Sequence, residues 1–200
     1  MNLILLDKET ASACWNAEDP RATHVRDILR LESGESFFVG IENGRIGKAH
    51  ILDDGMDGMR LEIDLQWDSH AHLPLHLLIG LPRPQAARRL LRDIPSLGPE
   101  QVTIFVAEKS EPSYRQSKLW NTDEWRSLLC EGAEQAFSTH IPAVQHADSL
   151  AEALDALKHN TGKIAFDLYE TEGLFNLDAV EKNQPLTLAF GPEGGWTANE

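Results

Sequence analysis

The rhythm of apolar and polar positions changes near residue 70. Leu61, Ile63, Leu65 and Trp67 alternate with Glu62, Asp64 and Gln66, the period of two that marks a strand with one buried face. Residues 36–41 and 46–52 read as the two preceding strands. Glu42-Asn43-Gly44 and Asp53-Asp54-Gly55, the latter followed by Met56-Asp57-Gly58, supply turn chemistry between these runs. A short apolar strand, Leu3 to Leu6, stands ahead of them. Asp19-Pro20 opens a helix with a capping aspartate and a proline in the first turn. Ala22, Val25, Ile28 and Leu29 then fall at three- and four-residue spacings on one face, and Ser33-Gly34 is the expected stop. Residues 1–70 therefore read as a small, mostly β domain.

Beyond His70-Ala71-His72 the pattern is different. Residues 73–81 are nearly continuous apolar sequence, as in a parallel strand buried on both faces. Helices are predicted at 84–94, at 122–137 with Asn121 or Thr122 as cap, and at 148–157 with Leu150, Ala153, Leu154 and Leu157 on one side. Buried strands are predicted at 102–106, 163–168 and 186–190. This alternation defines an α/β domain with a parallel sheet over 71–200. No internal repeat or low-complexity stretch interrupts it.

Hydrophobic residues make up 42% of the chain and charged residues 25%, the usage of an ordinary globular protein. Two hundred residues leave room for one or two cores. No apolar run approaches the ~20 residues that a membrane span requires. No basic stretch leads into a long apolar segment at the start, so a cleaved signal is not expected. With two cysteines, Cys14 and Cys130, there is no disulfide framework and no four-cysteine zinc cluster, and the cytoplasm is the expected compartment.

The net charge of −14 argues against indiscriminate adhesion to nucleic acid or to anionic membrane. The charge is unevenly spread. Residues 83–118 hold seven basic residues against four acidic ones, while 119–200 hold four basic and fourteen acidic. Arg21, Arg26 and Arg30, with His24 among them, form a second basic window around the single Asp27. These windows are either solvated helix faces or a local basic patch.

The strand at 186–190 runs straight into Gly191-Pro192-Glu193-Gly194-Gly195-Trp196. Three glycines in five residues let the backbone approach a ligand closely and take positive φ. Carboxyl ends of parallel strands are where open α/β sheets bind small molecules. The loop is neither a Walker loop nor GxGxxG, since no Gly-Lys-Ser/Thr follows. Thr197 and Glu200 have the spacing of a capping box, which predicts a helix start there.

This run, behind an apolar strand, resembles the GPEGG[FW] signature of the ribosomal small subunit methyltransferase E family. These are SPOUT-superfamily enzymes that methylate N3 of a uridine in 16S ribosomal RNA. Other stretches are similar in the same order. His24 with Ile28-Leu29-Arg30-Leu31 and Gly34-Glu35 resembles H…VLRL…GD. Leu81-Pro82-Arg83 resembles LPK, and Ala107-Glu108-Lys109-Ser110 resembles SERS. Trp125-Arg126, Glu131 to Gln135 and Ile141-Pro142 resemble RW…EAAEQ…IP.

The resemblance implies a two-part α/β protein. A PUA-like β-barrel over 1–70 grips RNA, and a SPOUT methyltransferase domain over 71–200 binds S-adenosylmethionine in a trefoil knot. Two subunits pair, and 16S ribosomal RNA or the small ribosomal subunit is the partner, with no membrane and no metal. It also implies cofactor contacts from Leu168, Phe190, Gly191, Pro192, Glu193, Gly194 and Gly195. RNA contacts are expected from His24, Arg26, Arg30, Arg83, Arg88, Lys109 and Arg115; no general base is singled out. The family's QKATELG reads Arg92 to Gly98 here, its LPKGDR reads Leu81 to Ala86, and its GR reads Phe137-Ser138. These departures bear on RNA contacts and rate more than on fold. The family continues past GPEGG into an LGxRILRTETA-like segment that completes the knot, whereas these residues stop at Glu200. The knot is accordingly expected to be incomplete here, and the competing function is a non-catalytic RNA-binding or ribosome-assembly module.

Other chemistry-bearing residues have plainer readings. His70, His72 and His76 share a face on an alternating strand, but no Cys, Asp or Glu has matching spacing, so no metal is expected. Cys130 reads as a small core residue. Glu131, Glu134 and Gln135 read as a solvated helix face, though the resemblance alternatively implies that Gln135 lines the dimer or cofactor region, and Tyr114 is a candidate for base stacking. Trp125, Leu128, Leu129, Ala133 and Phe137 give the long helix surplus apolar surface, which supports a homodimer.

Overall fold

The computed structural model describes residues 3–6, 13–69, 72–157, 162–167 and 184–200. Contacts divide the chain into two units, Met1–His70 with Ala133–Ile141, and Ala71–Gly132 with Pro142–Glu200. The change of rhythm near residue 70 marks one junction. The return of 133–141 to the first unit has no counterpart in the pattern.

In the first unit, β1 (Ile4–Leu6), β2 (Cys14–Trp15), β3 (Ser36–Ile41), β4 (Ile46–Gly55) and β5 (Gly58–Trp67) form one sheet in the order β1-β3-β4-β5-β2. β1 joins β3 in parallel, and the other pairs are antiparallel. β4 runs further than its pattern predicts. Asp53 pairs with Arg60 and Asp54 with Met59, so the turn falls at Met56-Asp57, within the predicted stretch, while its first part, Asp53-Asp54-Gly55, is strand. A bulge between Ile51 and Asp53 turns Leu52 outward. The inner face buries Val39, Ala49, Ile51, Met59 and Leu61 with Trp15, Ala22 and Val25.

The helix of this unit starts where expected. Asp19 Oδ1 accepts the Arg21 N–H at 2.9 Å, opening α1 (Pro20–Thr23). The helix then widens into a π-helical stretch, His24–Leu29. Its longer hydrogen-bonding interval carries Ile28 off the apolar face that α-helical spacing gives it. Val25 is fully buried while Ile28 is 68% exposed. The helix ends at Arg30, held in the left-handed region at φ 55°, and not at Ser33-Gly34. The 133–141 segment is tied in by polar groups. The Leu5 N–H donates to Glu134 Oε1 at 2.8 Å, Thr139 Oγ1 donates to the Gly44 carbonyl at 2.8 Å, and the Ile141 N–H donates to Asn43 Oδ1 at 3.0 Å. Glu134 is a structural acceptor and not part of a solvated face.

The second unit is the expected parallel α/β sheet. β6 (Leu73–Gly80), β7 (Pro99–Phe105), β8 (Ala143–Ala147), β9 (Gly162–Phe166) and β10 (Leu186–Phe190) lie in the order β8-β7-β6-β10-β9, every pair parallel. Helices α2 (Pro84–Asp93), α3 (Lys118–Asn121) and α5 (Leu150–Asp155) belong to it, as does most of α4 (Glu124–Gln135). β6 has a neighbour on each side, which is why its sequence is apolar at nearly every position. β9 is an edge strand with Lys163 and Ala165 exposed, so the prediction of a buried strand there is corrected. Leu78, Phe105, Ala107, Ala147 and Ala189 pack with Ala153 and Leu157, and Trp196 lies against this cluster. Leu128, Leu129 and Ala133 of α4 are buried within the chain, which removes most of the apolar surplus read as a dimer surface. Among the described residues no helix is long and apolar enough to cross a membrane.

Candidate functional site

The chain lays down β6, adds β7 and β8 on one side, then crosses to β9 and returns to β10 between β9 and β6. The strand order therefore breaks between β6 and β10, and a crevice at the carboxyl ends of such strands is the usual ligand position. The loop Gly191–Trp196 leaves β10 at that edge. Pro192 sits directly on Gly80, the last residue of β6: a Cβ there would lie 2.6 Å from Pro192 N and 2.7 Å from Pro192 Cδ. The Gly195 N–H donates to the Pro192 carbonyl at 2.8 Å, closing a tight turn with Gly195 at φ 70°, a conformation that favours glycine. The space beside the Gly195 Cα is open.

Two aromatic stacks floor this edge. Trp196 lies over Phe105 with ring centroids 6.0 Å apart and planes at 14°, and its Nε1–H donates to the Phe166 carbonyl at 2.8 Å. One side chain thus ties the loop after β10 to the ends of β7 and β9. Phe190 stacks on Phe166 at 4.9 Å, planes at 5°, and is 36% exposed.

The loops after β6 and β7 complete the frame. The Leu81 N–H donates to the Phe105 carbonyl at 2.6 Å. Ser110 Oγ donates to the Leu81 carbonyl at 3.0 Å and accepts the Ala107 N–H at 3.3 Å. The Arg83 N–H donates to Glu193 Oε1 at 3.2 Å, and its guanidinium lies 3.6 Å from the same carboxylate. Lys109 Nζ donates to the Trp196 carbonyl at 2.5 Å. Glu200 accepts the Glu108 N–H at 3.0 Å and the Thr197 N–H at 3.3 Å, the latter being one half of the predicted capping box.

Phe190 and Gly191 to Gly195 thus gather at one edge, together with Arg83 and Lys109. Leu168 lies outside the described residues, as does His70. Trp196, Phe105 and Ser110 organise the edge without standing among the predicted contacts. Trp196 lies inside the glycine motif and Ser110 inside Ala107–Ser110, the stretch similar to SERS, while nothing in the pattern marks Phe105. His76 Nε2 lies 2.8 Å from Thr103 Oγ1, and among the described residues no three metal-ligating side chains converge.

The basic candidates fare differently. Arg26 pairs with Asp54 at 2.8 Å, Arg88 with Glu124 at 2.6 Å, and Arg115 with Asp148. The Arg88 hydrogen bond holds the Glu124 carboxyl below its ordinary range. Arg30 makes no ion pair among the described residues and, with Arg26, Leu31, Glu32, Ser33 and Asp54, lines an open cavity of about 370 Å³. His24 begins the π-helical stretch beside it. Tyr114 is half-buried in a 3-10 turn capped by Glu111.

A parallel sheet with a glycine loop braced at its carboxyl edge is the frame of an α/β methyltransferase. The chain belongs to the RNA methyltransferase family, whose domain model matches residues 69–200. It is 33% identical over 210 residues to the ribosomal RNA small subunit methyltransferase E of Treponema pallidum, covering 100% of this chain and 78% of that protein. The ribosomal RNA small subunit methyltransferase E 1 of Borreliella burgdorferi is 28% identical over 200 residues, covering 100% and 84%. The fold also matches the crystal structure of the Neisseria gonorrhoeae ribosomal RNA small subunit methyltransferase E bound to S-adenosylmethionine. That match has a TM-score of 0.73 at 18% identity and covers 100% of this chain and 83% of that one.

Proposed function

We propose that this protein transfers the methyl group of S-adenosylmethionine to N3 of a uridine in 16S ribosomal RNA. The observation that carries the reading is the loop Gly191–Trp196, braced at the break in strand order of a sheet that belongs to the RNA methyltransferase family. The residues suit the cofactor. Open space beside Gly195 and the half-exposed Phe190 stack offer close backbone approach and an apolar wall for a flat ring. Phe190 and Gly191 to Gly195 would hold it, with Leu168 as the further contact implied by the resemblance. When bound, the cofactor supplies a methyl group already activated as a sulfonium, so the protein's share is placement of the uracil and help in removing the N3 proton.

In the same reading the first unit is a PUA-like RNA-binding module, the second has SPOUT topology, and the enzyme works in the cytoplasm as a homodimer. The RNA contact centres on Arg30, with His24 and Arg26 beside it, because most of the other predicted cations are ion-paired within the chain. The test is incubation of the purified protein with small ribosomal subunits and S-adenosylmethionine, followed by nuclease digestion and mass spectrometry. Appearance of 3-methyluridine, lost in Gly194→Val, supports the proposal. RNA binding without cofactor binding would favour the non-catalytic assembly module.

A further inference from the structure

Lys109 lies in a basic window, where charge counting assigns it to RNA, yet its side chain, though exposed, lies along the glycine loop. The ammonium donates to the Trp196 carbonyl at 2.5 Å. Along its stem, the position a Cβ would take on Gly194 lies 3.2 Å from Lys109 Cβ and 3.5 Å from Lys109 Cδ. The base of the residue is fixed as well: the neighbouring Glu108 N–H is held by Glu200, and Ser110 Oγ bridges to the Leu81 carbonyl. We propose that Lys109 is a positioning residue that holds Gly191–Trp196 in its binding shape before any ligand arrives; this rests on the reading of that loop as the cofactor site.

The physical case is one of entropy. A segment with three glycines loses more backbone freedom on ordering than one of the same length without them. If that ordering occurred only on binding, its cost would be taken from cofactor affinity. Trp196 anchors the far end of the loop through its ring and its Nε1–H, and Arg83 pairs with the Glu193 side chain, but the backbone from Gly194 to Trp196 is crossed by the side chain of Lys109. Its charge-assisted bond to a carbonyl is stronger than a neutral one, and its stem closes one side of Gly194.

Lys109→Met keeps the packing stem and deletes the ammonium; Lys109→Arg restores a cationic donor. Hydrogen exchange of the Gly194 and Gly195 amides is read first, on the ligand-free full chain. It should quicken roughly fivefold or more in Lys109→Met and return close to wild type in Lys109→Arg. With S-adenosylmethionine and ribosomal subunits, Lys109→Met should raise the KM for the cofactor roughly five- to tenfold, as expected for a partly exposed charged hydrogen bond, with kcat changed less than twofold. Unchanged exchange in Lys109→Met overturns the proposal whether or not the wild-type protein binds the cofactor. A raised KM for RNA with an unaltered cofactor KM overturns it in favour of direct RNA contact. If the wild type fails to bind S-adenosylmethionine while the exchange difference stands, it is the cofactor reading that fails, and Lys109 remains the brace of the loop.

Discussion

Replacing Gly80 by alanine places a methyl group between the end of β6 and the loop that leaves β10. Its nearest neighbours would be Pro192 N at 2.6 Å and Pro192 Cδ at 2.7 Å, with Gly191 C at 3.1 Å. Ordinary contact begins near 3.4 Å, so Pro192 must retreat by about 0.8 Å. Neither atom is the end of a flexible side chain, and β6 is pinned by ladders on both sides, so the loop moves and the strand stays. Overpacking of this kind costs about 1–3 kcal/mol, and for a protein of this size each kcal/mol lowers Tm by roughly 2–4 °C. Gly80→Ala should therefore lower Tm by roughly 2–12 °C and weaken S-adenosylmethionine binding in calorimetry by tenfold or more. Gly98→Ala is the control. Gly98, unlike Gly80, has positive φ, at 65°, and its nearest neighbour is 3.9 Å away, so the change costs about 1–2 kcal/mol of backbone strain and leaves cofactor binding unaltered. If Gly80→Ala keeps both its Tm and its affinity, the loop does not rest on β6 as described.

Arg30→Gly removes a left-handed non-glycine residue and should raise stability by about 1 kcal/mol while weakening RNA binding, read by denaturant unfolding and by filter binding. A loss of stability would show that the Arg30 side chain supports the fold and is not held ready for a partner. Asp19→Ala removes the cap of α1 and should cost about 1 kcal/mol at neutral pH. The Arg21 hydrogen bond depresses the Asp19 carboxyl, so its contribution is full above the unfolded-state value. That contribution is lost as pH falls through the lower folded value, and the gap between mutant and wild type should close below about pH 4.

Most of the fold was legible because period and position agree. β3 matches its predicted limits, and β6 read as buried because it is central. The misses have physical causes. Ile28 was placed on the buried face by α-helical spacing, and a change of helical winding is not written in an apolar pattern. Only the second half of the predicted Asp53–Gly58 turn is a turn, because a bulge at Leu52 let β4 continue to Gly55. Glu134 looked solvated because its acceptor role depends on β1, 129 residues away in sequence. The glycine loop announced itself, but its bracing by Trp196, Ser110 and Lys109 did not, since each bond joins the ends of strands far apart in the chain.

Charge is where reading along the chain misleads most, and the consequence can be measured. The two basic windows contain ten cations, from Arg21 to Arg30 and from Arg83 to Lys118. Six of them, Arg21, Arg26, Arg83, Arg88, Arg92 and Arg115, are paired with Asp19, Asp54, Glu193, Glu124, Glu131 and Asp148. All six of those acids lie outside the windows, so local counts of charge leave them out. A cation already balanced by a carboxylate within the chain releases few counterions when it meets a phosphate, because the local charge it brings is near zero. Arg30, Arg89 and Lys118 make no ion pair among the described residues, and the Lys109 ammonium is engaged by the Trp196 carbonyl. At about 0.7 per cation for single-stranded RNA, ten cations would give log K against log salt a slope near −7, and these three a slope near −2. Filter binding of a ribosomal RNA fragment across a tenfold range of salt should give about −2. A slope steeper than about −6 would mean that the ion pairs open on binding and that the windows act as they read in the sequence.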